Sequence, residues 1–64
     1  MPLVEVHLLE GRTDEQKEAL LKAITLAVHE TIQAPLPTIR VWIDEFSPKH
    51  YMIAGKLKSR MTEP

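Results

Sequence analysis

Met1-Pro2-Leu3-Val4-Glu5-Val6-His7-Leu8-Leu9 opens the chain, and its alternation decides the fold. Val4, Val6 and Leu8 fall on one face while Leu3, Glu5, His7 and Leu9 fall on the other, a period of two that predicts a strand. Proline is tolerated at the first residue of a strand, where a missing N–H donor costs least. Glu10-Gly11-Arg12 breaks the pattern, with Gly11 free to adopt a backbone conformation closed to other residues. Thr13-Asp14-Glu15-Gln16 then reads as a capping box, and its two acids face the positive end of a helix dipole.

From there Leu20, Leu21, Ile24, Ala27, Val28, Thr31 and Ile32 recur at three- and four-residue spacing, one apolar stripe on a helix. Lys17, Glu18, Lys22 and Glu30 are expected on the opposite side. The helix should stop before Pro35, because the residue preceding a proline is pushed out of the helical region. Ala34-Pro35-Leu36-Pro37-Thr38 is a stiff connector into a second strand, Ile39 to Phe46. One face of that strand carries Ile39, Val41 and Ile43; the other carries Arg40, Trp42, Asp44 and Phe46.

Strand, helix, strand is a β-α-β unit, whose strands are expected to be parallel and adjacent with a right-handed crossover. The expected class is α+β, a single domain over residues 1–64. Its β-α-β unit spans 1–46 and a C-terminal hairpin or arm spans 47–64. In that tail Ser47-Pro48 marks a turn, Tyr51-Met52-Ile53 a short strand ended by Ala54-Gly55, and Lys56 to Pro64 an arm.

Size sets the next expectation. A chain of 64 residues buries only about 60% of its unfolded surface and is marginal as a monomer. Disulfides, metals or oligomerisation are the usual remedies. There is no cysteine, which removes disulfides and thiolate metal sites, while 44% of the residues are hydrophobic. One helix on two strands leaves one sheet face bare, so another subunit is expected to cover it.

With 8 Lys+Arg against 9 Asp+Glu, the chain lacks the basic surplus of a nucleic-acid binder. No apolar run reaches the ~20 residues that span a bilayer. Glu5, Glu10 and Arg12 interrupt any signal-peptide pattern. The expectation is a cytoplasmic protein with no nucleic-acid or membrane partner.

Nucleophile sets fail: Ser47 and Ser59 lie in the tail, outside any strand-turn-helix context. His7, His29 and His50 fall on a strand, a helix and a loop without metal-ligand spacing, so no metal is assigned. Gly11 and Gly55 do not make a phosphate-cradling loop. Lys49, Lys56, Lys58 and Arg60 read as a solvated basic surface.

Arg12, at the end of the first strand, and Arg40, on an otherwise apolar strand face, are the stronger candidates. A guanidinium suits bidentate capture of carboxylates. Pro2 joins them on one condition. If Met1 is removed, Pro2 carries a free secondary amine, and α-amino groups have reference pKa values of roughly 7.7–8.0. Nearby cations and burial lower that value, leaving the neutral form that a general base requires. If Met1 stays, the nitrogen is an amide without useful basicity.

A Pro2-initiated strand, the run Leu9-Glu10-Gly11-Arg12-Thr13-Asp14-Glu15-Gln16-Lys17, and Ala34-Pro35-Leu36 leading into Ile39-Arg40-Val41 together resemble the 4-oxalocrotonate tautomerase family of the tautomerase superfamily. The similarity runs from Pro2 to about Ser59. It implies a β-α-β protomer assembled as a homohexamer, a trimer of dimers, acting without cofactor on an unsaturated oxo or hydroxy dicarboxylate such as 2-hydroxymuconate, in catabolism of aromatic compounds.

By the same resemblance Pro2 would shuttle the proton from oxygen to carbon. Arg40, from a neighbouring subunit, would bind the carboxylate and carbonyl end, and Arg12 the distal carboxylate. Tyr51 would wall the pocket, where the family has a phenylalanine, and the Leu9 backbone would help position the carbonyl oxygen. Tyr51, Met52, Ala54 and Lys56 depart from the family pattern, which bears on pocket shape. A hetero-oligomer subunit, a non-catalytic one, or a relative acting on another unsaturated or halogenated acid are the alternatives.

Overall fold

Two parallel strands, one long helix laid across them and a small C-terminal hairpin make up the computed structural model, which describes residues 1–60. Strand β1 spans Leu3–Leu9, helix α1 Asp14–Ile32 and strand β2 Arg40–Phe46. The strands pair in parallel over their whole length, from Leu3 beside Arg40 to Leu9 beside Phe46. A two-stranded antiparallel hairpin follows, β3 at Met52–Ile53 and β4 at Lys56–Leu57. Lys56 therefore returns as a strand and Lys58–Arg60 forms a 3-10 turn. The rest of the expected arm, 61–64, lies outside the described residues.

The start of the helix follows its sequence closely. Thr13 is the N-cap in an extended conformation; its hydroxyl accepts from the Gln16 N–H at 3.1 Å, and its own N–H donates to Gln16 Oε1 at 2.9 Å. Such reciprocal pairing satisfies two donors that the first turn otherwise leaves open. Gly11, at φ 131°, makes the turn that brings the chain from strand to cap. The helix ends at Ile32, and Gln33 takes the left-handed conformation at φ 56°. The proline-rich connector is not simply extended: Leu36–Thr38 forms one 3-10 turn before β2.

The apolar stripe needs a correction in its second half. Leu20, Leu21, Ile24 and Val28 are half-buried as expected, but Ala27, Thr31 and Ile32 face solvent. Thr25 and His29 take the inner positions instead. Their polar atoms are satisfied locally, which makes this possible: Thr25 Oγ1 donates to the Leu21 carbonyl at 2.8 Å, and His29 Nδ1 lies 2.7 Å from the Ala34 carbonyl oxygen. Lys17 is also displaced from its expected outer face. It is half-buried, its ammonium 3.0 Å from Glu45 on β2 and 3.4 Å from Asp14.

This protomer is thinly cored. Among the described residues only Ala34 and Ile39 are buried, each still 8% exposed. The chain exposes 5169 Å², against about 4,200 Å² for a compact monomer of 7.3 kDa. Its radius of gyration is 15.0 Å, against about 11 Å for a compact chain of this length. The face of the sheet away from α1 is bare, with Leu3 63% and Trp42 43% exposed. Among the described residues no helix is long and apolar enough to cross a membrane.

Candidate active site

Parallel register separates the candidate residues into two groups. Pro2 and Arg40 lie at the start of the strands, where the Arg40 N–H donates to the Pro2 carbonyl at 3.0 Å. Pro2 is half-buried and the Met1 ahead of it is 79% exposed. The Arg40 side chain is exposed and folds over the connector, with Nη1 2.7 Å from the Pro37 carbonyl oxygen. A guanidinium has five N–H donors in a planar fork, so this contact leaves donors for a carboxylate.

Leu9, Arg12 and Tyr51 gather at the other end. Leu9 pairs with Phe46, and the Glu10 N–H extends the ladder by donating to the Phe46 carbonyl at 3.0 Å. The Tyr51 ring meets Phe46 edge-on, centroids 5.2 Å apart and planes at 61°, an arrangement aromatic quadrupoles favour. Arg12 is exposed on the loop into α1 and borders a shallow cleft of about 230 Å³ with Leu8, Gln16, Lys17 and Leu20. Two features at this end were not anticipated from sequence. Phe46 acts as the support of Tyr51, and the Lys17–Glu45 bridge ties the first turns of α1 to the end of β2.

The bridge also shifts a protonation equilibrium. The hydrogen bond from Lys17 Nζ to Glu45 raises the lysine pKa above its ordinary value, against the opposing effect of burial, and the Glu45 and Asp14 charges add to the rise.

At about 3.3 Å per residue, seven residues of β1 hold the two groups on the order of 20 Å apart. That is well beyond the reach of one arginine side chain. A single protomer thus sets Pro2 beside Arg40 at one strand end and holds Leu9, Arg12 and Tyr51 toward the other, but does not bring the two groups together.

Residues 2–61 match the family model described as tautomerase enzyme. A 2-hydroxymuconate tautomerase of Pseudomonas putida is 43% identical over 61 residues, covering 95% of this chain and 97% of that protein. Among solved structures, YwhB, a homologue of 4-oxalocrotonate tautomerase, is 49% identical with a TM-score of 0.89, over 95% of this chain and all of that one. A heterohexamer 4-oxalocrotonate tautomerase from Chloroflexus aurantiacus is 32% identical with a TM-score of 0.88, over 97% of this chain and all of that one. The comparisons also bear on assembly, since that relative is an oligomer and the thin core of this protomer calls for self-association. With its β-α-β frame and its match beginning at Pro2, the chain belongs to the tautomerase family, in the 4-oxalocrotonate tautomerase group, and is an isomerase.

Proposed function

We propose that the chain, once freed of Met1, uses the Pro2 amine as general base to ketonise an enol dicarboxylate of the 2-hydroxymuconate type, in catabolism of aromatic compounds. The neutral amine takes the proton of the 2-hydroxyl. The O–H pair forms the 2-carbonyl, the displaced π pair moves along the conjugated system to one of its carbons, and the prolinium returns the proton there. Atoms and charge balance without a cofactor. Arg40 holds the carboxylate and carbonyl end and draws electron density toward it, Arg12 holds the distal carboxylate, and the Leu9 backbone and Tyr51 line the pocket. Charge-assisted pairing to two carboxylates orients the diacid.

One observation carries this reading: the family match begins at Pro2, and Arg40 would come to it from a neighbouring subunit. The wide separation of Pro2 from Arg12 supports a site completed by neighbouring copies, in a homohexamer built as a trimer of dimers. A second reading, a subunit of a hetero-oligomer, is favoured by the heterohexamer relative from Chloroflexus aurantiacus.

Intact mass followed by an enol assay tests the proposal. The expected result is a chain lighter by one methionine that ketonises 2-hydroxymuconate, measured by the loss of enol absorbance. Undiminished turnover in Pro2→Ala protein free of contaminating enzyme would overturn the mechanism. Turnover that appears only after mixing with a second, different subunit would favour the hetero-oligomer.

A further inference from the structure

The histidines, read singly along the sequence, show no ligand spacing, but strand pairing changes the company of one of them. Glu5 and His7 stand two residues apart on β1, so both point away from α1. The parallel register sets Asp44 of β2 directly beside His7, on the same face. His7 Nε2 lies 3.8 Å from Glu5 Oε1, and Nδ1 lies 3.5 Å from Asp44 Oδ2. One donor atom from each of the three residues falls within 4.8 Å of the other two. All three side chains are exposed, and the proposed proton transfer uses none of them.

We propose that Glu5, His7 and Asp44 bind a divalent transition cation of the zinc class, with water in the remaining positions. The donor set selects the class: imidazole with carboxylates suits borderline cations, whereas Mg²⁺ and Ca²⁺ prefer all-oxygen shells. The spacing is near what is required, since donors at about 2.0–2.2 Å around a tetrahedral ion sit roughly 3.3–3.5 Å apart. Exposed side chains close that difference by rotamer adjustment, without moving the backbone. The three Cα positions are fixed by the β1–β2 ladder, so the site is carried by strands rather than by a loop. The ion pairs reaching Glu5 and Asp44 both come from His7. A cation there would also neutralise two carboxylates on the face left bare for a neighbour, where burial of unpaired charge is costly.

Calorimetric titration of Zn²⁺ into untagged, metal-free, assembled protein near neutral pH tests the site. We expect saturable binding of one ion per chain, weakened about tenfold or more in His7→Gln and in Glu5→Gln. His50→Gln should bind as the parent does, and excess Mg²⁺ should not displace the zinc. Sedimentation checks that each variant keeps the parent's assembly; if His7→Gln does not, Glu5→Gln decides. Absence of saturable binding, undiminished binding in the deciding variant, or equal competition by Mg²⁺ would overturn the proposal.

Discussion

The two ends of the parallel strand pair are built differently. At the far end, the Glu10–Phe46 ladder bond, the Thr13 capping box, the Lys17–Glu45 bridge and the Phe46–Tyr51 ring pair all converge within one protomer. At the near end, the Arg40–Pro2 ladder bond stands beside a cluster of exposed apolar side chains, Met1, Leu3 and Leu36. One end arrives finished and the other arrives open. Under the proposed mechanism, the open end is where a Pro2 amine would gain most from a neighbour, because burial and nearby cations are what keep such an amine neutral. The finished end is where an arginine can be held out toward someone else's substrate.

The contrast is broken most severely at Pro2. Replacing it with alanine should lower kcat/KM for the enol diacid by about 10²- to 10⁴-fold, the usual worth of a positioned general base. Secondary structure by circular dichroism should stay as in the parent, since a strand-opening residue is all that changes. The next experiment asks whether the two ends meet across copies. Pro2→Ala chains and Arg12→Gln chains, each poorly active, are unfolded together in equal amounts and refolded. If each site takes Pro2 and Arg12 from different copies, about a quarter of the sites regain both residues in a symmetric homo-oligomer. If both come from one chain, mixing restores nothing.

Much of this contrast was legible beforehand and part of it was not, for physical reasons. Alternation over Leu3 to Leu9 and the Thr13 and Gln16 pair are local signals, and both elements stand where they were expected. The second half of the helical stripe departs from expectation because hydrophobicity ranks Ala27 and Ile32 above His29 and cannot separate Thr31 from Thr25. The polar pair can occupy the inner positions because the Leu21 and Ala34 carbonyls satisfy its polar atoms, which no periodicity records. Lys17 reads as surface charge until β2 supplies Glu45, 28 residues on. Register is likewise a long-range property. It alone reveals that Arg40 starts its strand beside the end that holds Pro2, and that Asp44 stands beside His7. The C-terminal hairpin was half legible: Gly55, at φ 80°, marks the turn, but Ala54 also adopts a positive φ of 54° that alanine disfavours.

That strained alanine gives a prediction away from both strand ends. Ala54→Gly removes a left-handed penalty of about 1 kcal/mol, partly offset by the greater freedom of an unfolded glycine. A small net gain in resistance to chemical denaturation is expected, with activity retained. A loss of stability would mean that the Ala54 methyl is packed by a neighbouring copy. Thr13→Ala acts in the opposite direction and on the finished end. Losing one half of the capping box should cost about 1 kcal/mol by the same measurement. Because Arg12 immediately precedes the cap, KM should rise more than kcat falls.

The smallest effect belongs to the Lys17–Glu45 bridge, and pH separates it from the cap. The raised Lys17 pKa means that the folded chain holds this proton more tightly than the unfolded chain does, chiefly through the hydrogen bond to Glu45. The stabilisation is therefore fully present below the ordinary lysine range and is lost as pH rises through the folded value. Comparing thermal midpoints of the parent and Glu45→Gln should give a constant small deficit for the variant through neutral pH, narrowing at strongly alkaline pH as Lys17 loses its proton. A deficit that instead persists unchanged at strongly alkaline pH would assign the effect to Glu45 and some other partner. The finished end would then owe its rigidity to the cap and the aromatic pair rather than to the bridge.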